Sequence, residues 1–239
     1  MTAKLATLDN EPRSTTLQHP ITAVDIVLEP DVTMIQHAQA ANDGLLKNFP
    51  KGYALGDEHA PHISVMGGYV YTASLDKIYS AAGKVLASEK VTSWKLKAFK
   101  YYYIPLKEIG LGGIVVELTA NLIRLQKKLM DATAPFMAPA SSGTAAAFVT
   151  TPDEPEINQP TIDAVATYLS GHTGEHYSPH VTIGVGTVEY LDALLAAPFP
   201  IFTFSAVGVS AYQFGNFGTA AKQLHSFKLS QPGQTSQVA

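Results

Sequence analysis

Two stretches of this 239-residue chain repeat one another: Ala60-Pro61-His62-Ile63-Ser64-Val65 and Ser178-Pro179-His180-Val181-Thr182-Ile183. Each is a small residue, a proline, a histidine, a β-branched apolar residue, a hydroxyl residue and a second β-branched residue. Three of the eight histidines, His62, His176 and His180, have Ser or Thr two places on. Requiring a preceding proline leaves His62 and His180, where chance composition gives roughly 0.1 such motifs. Side chains alternate faces along an extended chain, so His62 and Ser64 share one face while Ile63 and Val65 share the other; His180 and Thr182 repeat the arrangement. An imidazole with an ordinary pKa near ~6.5 acts as base or acid at neutral pH, and two of them across a substrate act as a pair. Phosphodiester cleavage needs that combination, one group deprotonating the attacking oxygen and another protonating the departing alkoxide. The Ser64 and Thr182 hydroxyls would then donate to the non-bridging phosphate oxygens, where charge accumulates. The scheme requires no metal.

The elements that would carry these motifs are readable from hydrophobic period. Pro61 and Pro179 suit strand starts, where a missing N–H costs least. Ile21 to Leu28 reads as a strand, Asp31 to Lys47 as a helix, His62 to Tyr71 as a strand, and Ser74 to Ser88 as a helix with Ser74 as N-cap. Val91 to Ile104 and Ile114 to Leu118 read as strands, Ala120 to Ala132 and Thr161 to Leu169 as helices, His180 to Val185 as a strand and Glu189 to Ala196 as a helix. Phe202 to Phe214 and Gln223 to Leu229 form a closing pair of strands joined across Gly215 to Gly218. Hairpin links among the strands favour α+β layering over a doubly wound sheet. No Gly-rich loop joins an early strand to a helix as a dinucleotide site requires, and Gly110-Leu111-Gly112-Gly113 reads as a turn. Residues 133–160, rich in Ala, Ser, Thr and Pro, read as a long loop or lid. Residues 1–19 and 231–239 read as flexible tails flanking one domain over 20–230.

Composition narrows the chemistry. The absence of cysteine excludes disulfides, Cys-ligated zinc, iron–sulfur clusters and thiol catalysis. A net charge of −4, with Arg13 and Arg124 as the two arginines, argues against a surface tracking a long nucleic-acid tract. A nucleotide or the end of an RNA remains compatible. No apolar run approaches the ~18 residues of a membrane span, and the first residues lack the basic start and apolar centre of a secretory signal. A cytoplasmic protein is the default expectation, an exported mature form the alternative.

The paired His-x-Ser/Thr strands resemble the 2H phosphoesterase superfamily, which includes bacterial 2'-5' RNA ligase-like proteins and cyclic nucleotide phosphodiesterases. The similarity runs from about Ile21 to Leu229: ITAVDIVLEPD is similar to the family's first strand and Phe202 to Leu229 to its closing strands. The resemblance implies a bilobed α+β, LigT-like fold, with two antiparallel-rich sheets and outer helices around a central cleft and a pseudo-twofold axis. It also implies metal-independent chemistry on 2',3'-cyclic phosphates or 2'-5' linkages; no cofactor and a monomer are the accompanying expectations. His62, Ser64, His180 and Thr182 match the family's catalytic positions one for one, with Ser64 standing where threonine is commoner. Residues 133–160 are not explained by it. A module on the same fold that binds a nucleotide or RNA end without turnover is the rival reading, and a histidine-ligated metallohydrolase a third.

Other conspicuous residues carry competing readings. His172, His176 and His180 are spaced by four, as on a metal-binding helix face, but Gly171, Gly174 and Pro179 interrupt a helix and no carboxylate completes the set. His59 and His176, approaching the two motifs, read either as residues supporting the histidines from behind or as solvent-exposed, and exposure is preferred. Lys95, Lys97 and Lys100 with Tyr101-Tyr102-Tyr103 suit either a nucleic-acid-binding strand or an edge strand protected by lysines; the edge is preferred because edges are commonly protected that way. Tyr177 and Tyr212, with Phe214, are candidates to stack on a base, with core or rim packing as the alternative.

Overall fold

Eight strands and five helices follow from these patterns in a computed structural model that describes residues 19–229. In chain order they are β1 (Ile21–Pro30), α1 (Val32–Asn48), β2 (Ile63–Tyr71), α2 (Leu75–Leu86), β3 (Leu96–Leu106), β4 (Ile109–Val116), α3 (Ala120–Thr133), α4 (Gln159–Gly171), β5 (His180–Thr187), α5 (Val188–Ala196), β6 (Phe202–Phe204), β7 (Ala206–Phe214) and β8 (Ala220–Ser226). Apart from His19, the residues read as tails lie outside those described. Every strand pairing is antiparallel. The strands form two four-stranded sheets, ordered β2-β1-β7-β8 and β5-β4-β3-β6, so each histidine strand is the edge strand of its own sheet. This is the bilobed, pseudo-symmetric α+β architecture expected.

The lobes are not independent. Helix α1 follows a strand of the first sheet yet packs on β5 of the second, whereas α3 and α4 follow strands of the second and pack on β2. A main core spanning both sheets results, with Ile26, Met34, Ile63, Ile78, Leu96 and Ile114 all fully or almost fully excluded from water, beside two smaller buried clusters. Side-chain caps begin four helices: Asp31 for α1, Thr119 for α3, Asn158 for α4 and Thr187 for α5 each accept from a backbone N–H of the first turn. Among the described residues no helix is long and apolar enough to cross a membrane.

Four local expectations are corrected. The stretch Phe202 to Phe214 is not one strand: β6 pairs with β3 and β7 with β1, and the chain changes sheet at Ser205. Asp31 holds that crossing, its Oδ2 accepting from Ser205 N at 2.8 Å while Asp31 N donates to Ser205 O. Gly110 to Gly113 lies inside β4, and the hairpin turns instead at Lys107, the residue with φ of 64°. A side chain at Gly110 would collide with Tyr103 and Leu191, and one at Gly113 with Tyr102, so these glycines serve packing rather than turning. The strand expected from Val91 starts later, at Leu96, after a 3-10 turn. Ser74 precedes α2 without a side-chain capping bond. Residues 133–160 hold three 3-10 turns and bury Ala147 and Phe148, with Gln213 Nε2 donating to Ala147 O at 2.8 Å.

Candidate active site

In both histidine strands the ladder slips by one residue immediately after the hydroxyl residue. Met66 pairs with Ile26 and Ser64 with Val27, which leaves Val65 extra; Gly184 pairs with Gly112 and Thr182 with Gly113, which leaves Ile183 extra. Such bulges bend a strand and re-aim its side chains. Here they occupy matching positions in the two lobes, and His62, Ser64, His180 and Thr182 all line one cavity of about 210 Å³ between the sheets.

Each imidazole is anchored in the same way. His62 Nδ1–H donates to Ala60 O at 2.7 Å and His180 Nδ1–H to Ser178 O at 2.8 Å. A carbonyl only accepts, so both Nδ1 atoms carry hydrogen and each Nε2 is the atom left for chemistry. The small residue before each Pro-His pair therefore supplies the carbonyl that fixes the tautomer. Tyr177 fastens the lobes together, its buried hydroxyl donating to Ser64 O at 2.8 Å.

The electrostatics break the symmetry. Asp25, on β1 and wholly buried, accepts from Ser64 Oγ at 2.5 Å and lies 3.4 Å from His62 Nε2 through the same Oδ2. Among the described residues its Oδ1 has no hydrogen-bond partner. The register places Asp25 opposite Gly67 and, at the matching point of the other lobe, Leu111 opposite Val185. One histidine thus faces a carboxylate where the other faces a leucine. Burial alone would lower the His62 pKa, but Asp25 and the Ala60 carbonyl outweigh it and leave it raised. Burial raises the Asp25 carboxyl, against the pull of His62 and Ser64. His180, with burial acting first and no carboxylate to counter it, is lowered to about 4.

Tyr102 completes the second half of the site, its ring edge-on to His180 with centroids 4.9 Å apart. It reaches that position across Gly113, its partner in the sheet, where a side chain would occupy the same space. The register between Ala98 and Lys100 slips past Phe99, and the buried parity of β3 changes there: Leu96 and Ala98 pack into the core before it, Tyr101 and Tyr103 after it. Tyr102, Ile104 and Leu106 consequently share the opposite face, where Ile104 and Leu106 line the cavity and Tyr102 packs against His180. The strand is interior over Leu96 to Ala98, where β6 pairs with it, and paired on one side only beyond. Lys97 pairs with Glu117 and Lys95 Nζ donates to Ser205 Oγ.

The remaining expected residues divide. Tyr177 and Phe214 line the cavity; Tyr212 does not, and packs instead with Val27 and Ala220. Ser64 is committed to Asp25, so its single proton is not free for a phosphate in this state, unlike the Thr182 hydroxyl. His59 is not the exposed residue expected: it stacks on Tyr53 with centroids 4.4 Å apart and contacts Glu154 Oε2 at 2.8 Å. His172 ends α4 and lines the cavity, His176 lies exposed in a 3-10 turn, and His180 begins β5. Among the described residues no three His, Asp or Glu side chains are grouped to hold a metal ion. Sequence reasoning missed Asp25, whose signal was a lone carboxylate within the apolar run Ile21 to Leu28, and singled out Tyr102 only within the run Tyr101-Tyr102-Tyr103, with no link to His180.

No protein-family model matches the sequence, and no curated protein does. Solved structures do match. The TT0787 protein of Thermus thermophilus aligns with 87% of this chain and 98% of its own at 12% identity, with a TM-score of 0.51. The two chains share a fold. LigT of E. coli, in structures complexed with ATP and with 3'-AMP, aligns over 89% of this chain and all of its own at TM-scores of 0.44 and 0.43 and identities of 13% and 14%. At such identities the likeness is one of fold alone.

Proposed function

We propose that the protein is a metal-independent phosphodiesterase of the 2H type, which opens a 2',3'-cyclic phosphate or cleaves a 2'-5' linkage at a nucleotide or RNA end with His180 as base and His62 as acid. The observation that carries this reading is the pair of Nδ1-anchored imidazoles lining one cavity with their pKa values moved apart. Groups whose environments separate their pKa values in this way are suited to opposite proton-transfer roles. His180 is neutral at pH 7 and its Nε2 takes a proton from water as the water oxygen bonds to phosphorus. The bond from phosphorus to the ribose oxygen breaks, and His62 Nε2–H protonates that oxygen. Exchange with solvent then returns one proton to His62 and removes one from His180. For a 2'-5' linkage the ribose 3'-hydroxyl is the attacking oxygen in place of water.

The hydroxyls stabilise the charge that builds on phosphorus. Thr182 donates directly. Ser64 Oγ, which donates to Asp25 Oδ2, holds that carboxyl beside His62 and would donate to the phosphate on exchanging this partner for it. Turnover of 2',3'-cyclic nucleotides and 2'-5' dinucleotides in the presence of EDTA tests the reading. Release of a single monoester regioisomer is expected. Tight binding of the same compounds without turnover would instead make the protein a nucleotide-binding module, and activity that EDTA removes and one divalent ion restores would make it a metallohydrolase.

A further inference from the structure

The walls around the histidines say what kind of phosphodiester fits. Resting on the proposed chemistry, we infer that the substrate is a small phosphodiester whose reacting phosphate is its sole charge, carried on an apolar body, and not an oligonucleotide chain. Among the described residues no lysine or arginine lines the cavity, whose ionisable nitrogen groups are the imidazoles of His62, His172 and His180. A site that holds successive phosphates needs a cation for each, since an unpaired anion against apolar walls is strongly disfavoured.

What lines the cavity instead is hydrocarbon. The β3–β4 hairpin contributes Ile104, Leu106 and Leu111 on the His180 side, and Val165, Phe214 and Phe217 face them from the other lobe. Ile104, a large aliphatic side chain held at the mouth, is 46% exposed. Several polar groups that could read a base are already paired, although the buried Tyr168 hydroxyl has no hydrogen-bond partner among the described residues. Asn158 Oδ1 accepts from Thr161 N and Thr161 Oγ1, and its Nδ2 donates to Asn216 Oδ1 at 2.6 Å. Thr161 Oγ1 also accepts from Phe217 N at 2.9 Å, and the Tyr177 hydroxyl is bound to Ser64 O. The cavity therefore discriminates by charge and hydrophobicity beyond the reacting ring.

Four compounds sharing a five-membered cyclic phosphate test this: 1-O-hexylglycerol 2,3-cyclic phosphate, adenosine 2',3'-cyclic phosphate, the same nucleotide with a 5'-phosphate, and a dinucleotide ending in a 2',3'-cyclic phosphate. Turnover and calorimetric binding are measured for each on the full-length protein. The expected order of kcat/KM and of affinity is the order given, with about a tenfold loss for the added 5'-phosphate and little dependence on salt. Leu111→Arg should narrow the gap by favouring the two multiply charged compounds. Equal or better use of the dinucleotide, with affinity falling steeply as salt rises, would overturn the inference while leaving the catalytic reading intact. Binding in the expected order without turnover of any compound would overturn the catalytic reading and uphold the preference.

Discussion

The two histidines sit in equivalent frames and unequal fields. Equivalent backbone anchors fix their tautomers, and the surroundings differ in the matched position on the neighbouring strand, Asp25 in one lobe and Leu111 in the other, and in the Tyr102 ring beside His180. That difference has a direct readout. The acid must be protonated, so activity falls as pH rises through the raised His62 value; the base must be neutral, so activity falls as pH drops toward about 4, where His180 gains its proton. The pH–rate profile is therefore a broad bell, its alkaline limb above the ordinary histidine value of 6.5 and its acidic limb well below it. Asp25→Asn removes the charge beside His62 and should bring the alkaline limb to lower pH while leaving the acidic limb in place; an unmoved alkaline limb would show that Asp25 does not set the acid. The repeated motif makes His62 and His180 legible from sequence because all its parts are local. Asp25 is not legible in the same way, since its meaning comes from Ser64, 39 residues away and reached only through sheet register.

At the scale of elements, bulges decide what faces the substrate. Alternation along β3 read from sequence does not distinguish Tyr101 from Tyr102, because the slip past Phe99 exchanges the faces of everything after it. Equally, the glycines of β4 look like a turn until Tyr102, Tyr103 and Leu191 are seen to need the space. The strand and helix identities themselves followed from period and caps, as Asp31 and its helix show. Tyr102 shields His180, so Tyr102→Leu should hydrate the imidazole and raise its pKa, shifting the acidic limb toward neutrality. Gly113→Ala should do the same by pushing the tyrosine ring aside, with an overpacking cost of about 1–3 kcal/mol. Matching shifts in the two variants, followed as kcat/KM against pH, are the expected outcome; a shift in neither would detach Tyr102 from the function of His180.

The whole molecule is two similar sheets made inseparable by exchanged helices. Asn42 shows the consequence: from α1 it donates to Tyr53 O and to Ile183 O on β5, and accepts from Leu55 N. Asn42→Leu strands those buried backbone groups and should cost at least about 2 kcal/mol. Because each lobe borrows a helix from the other, urea unfolding followed by Trp94 fluorescence and by far-UV circular dichroism should give coincident transitions in both proteins; two separated transitions would mean the lobes fold alone. This arrangement keeps the histidine-bearing edges of β2 and β5 in fixed relation, as two imidazoles acting on one phosphorus would require. The most direct test of the account is the turnover of a 2',3'-cyclic phosphate by His62→Ala, His180→Ala and the double variant, each shown to be folded. The account predicts that either single change lowers kcat by roughly 10²–10⁴-fold and that the double change adds little, because the pair acts as a unit. Near-normal turnover by either single variant would contradict it.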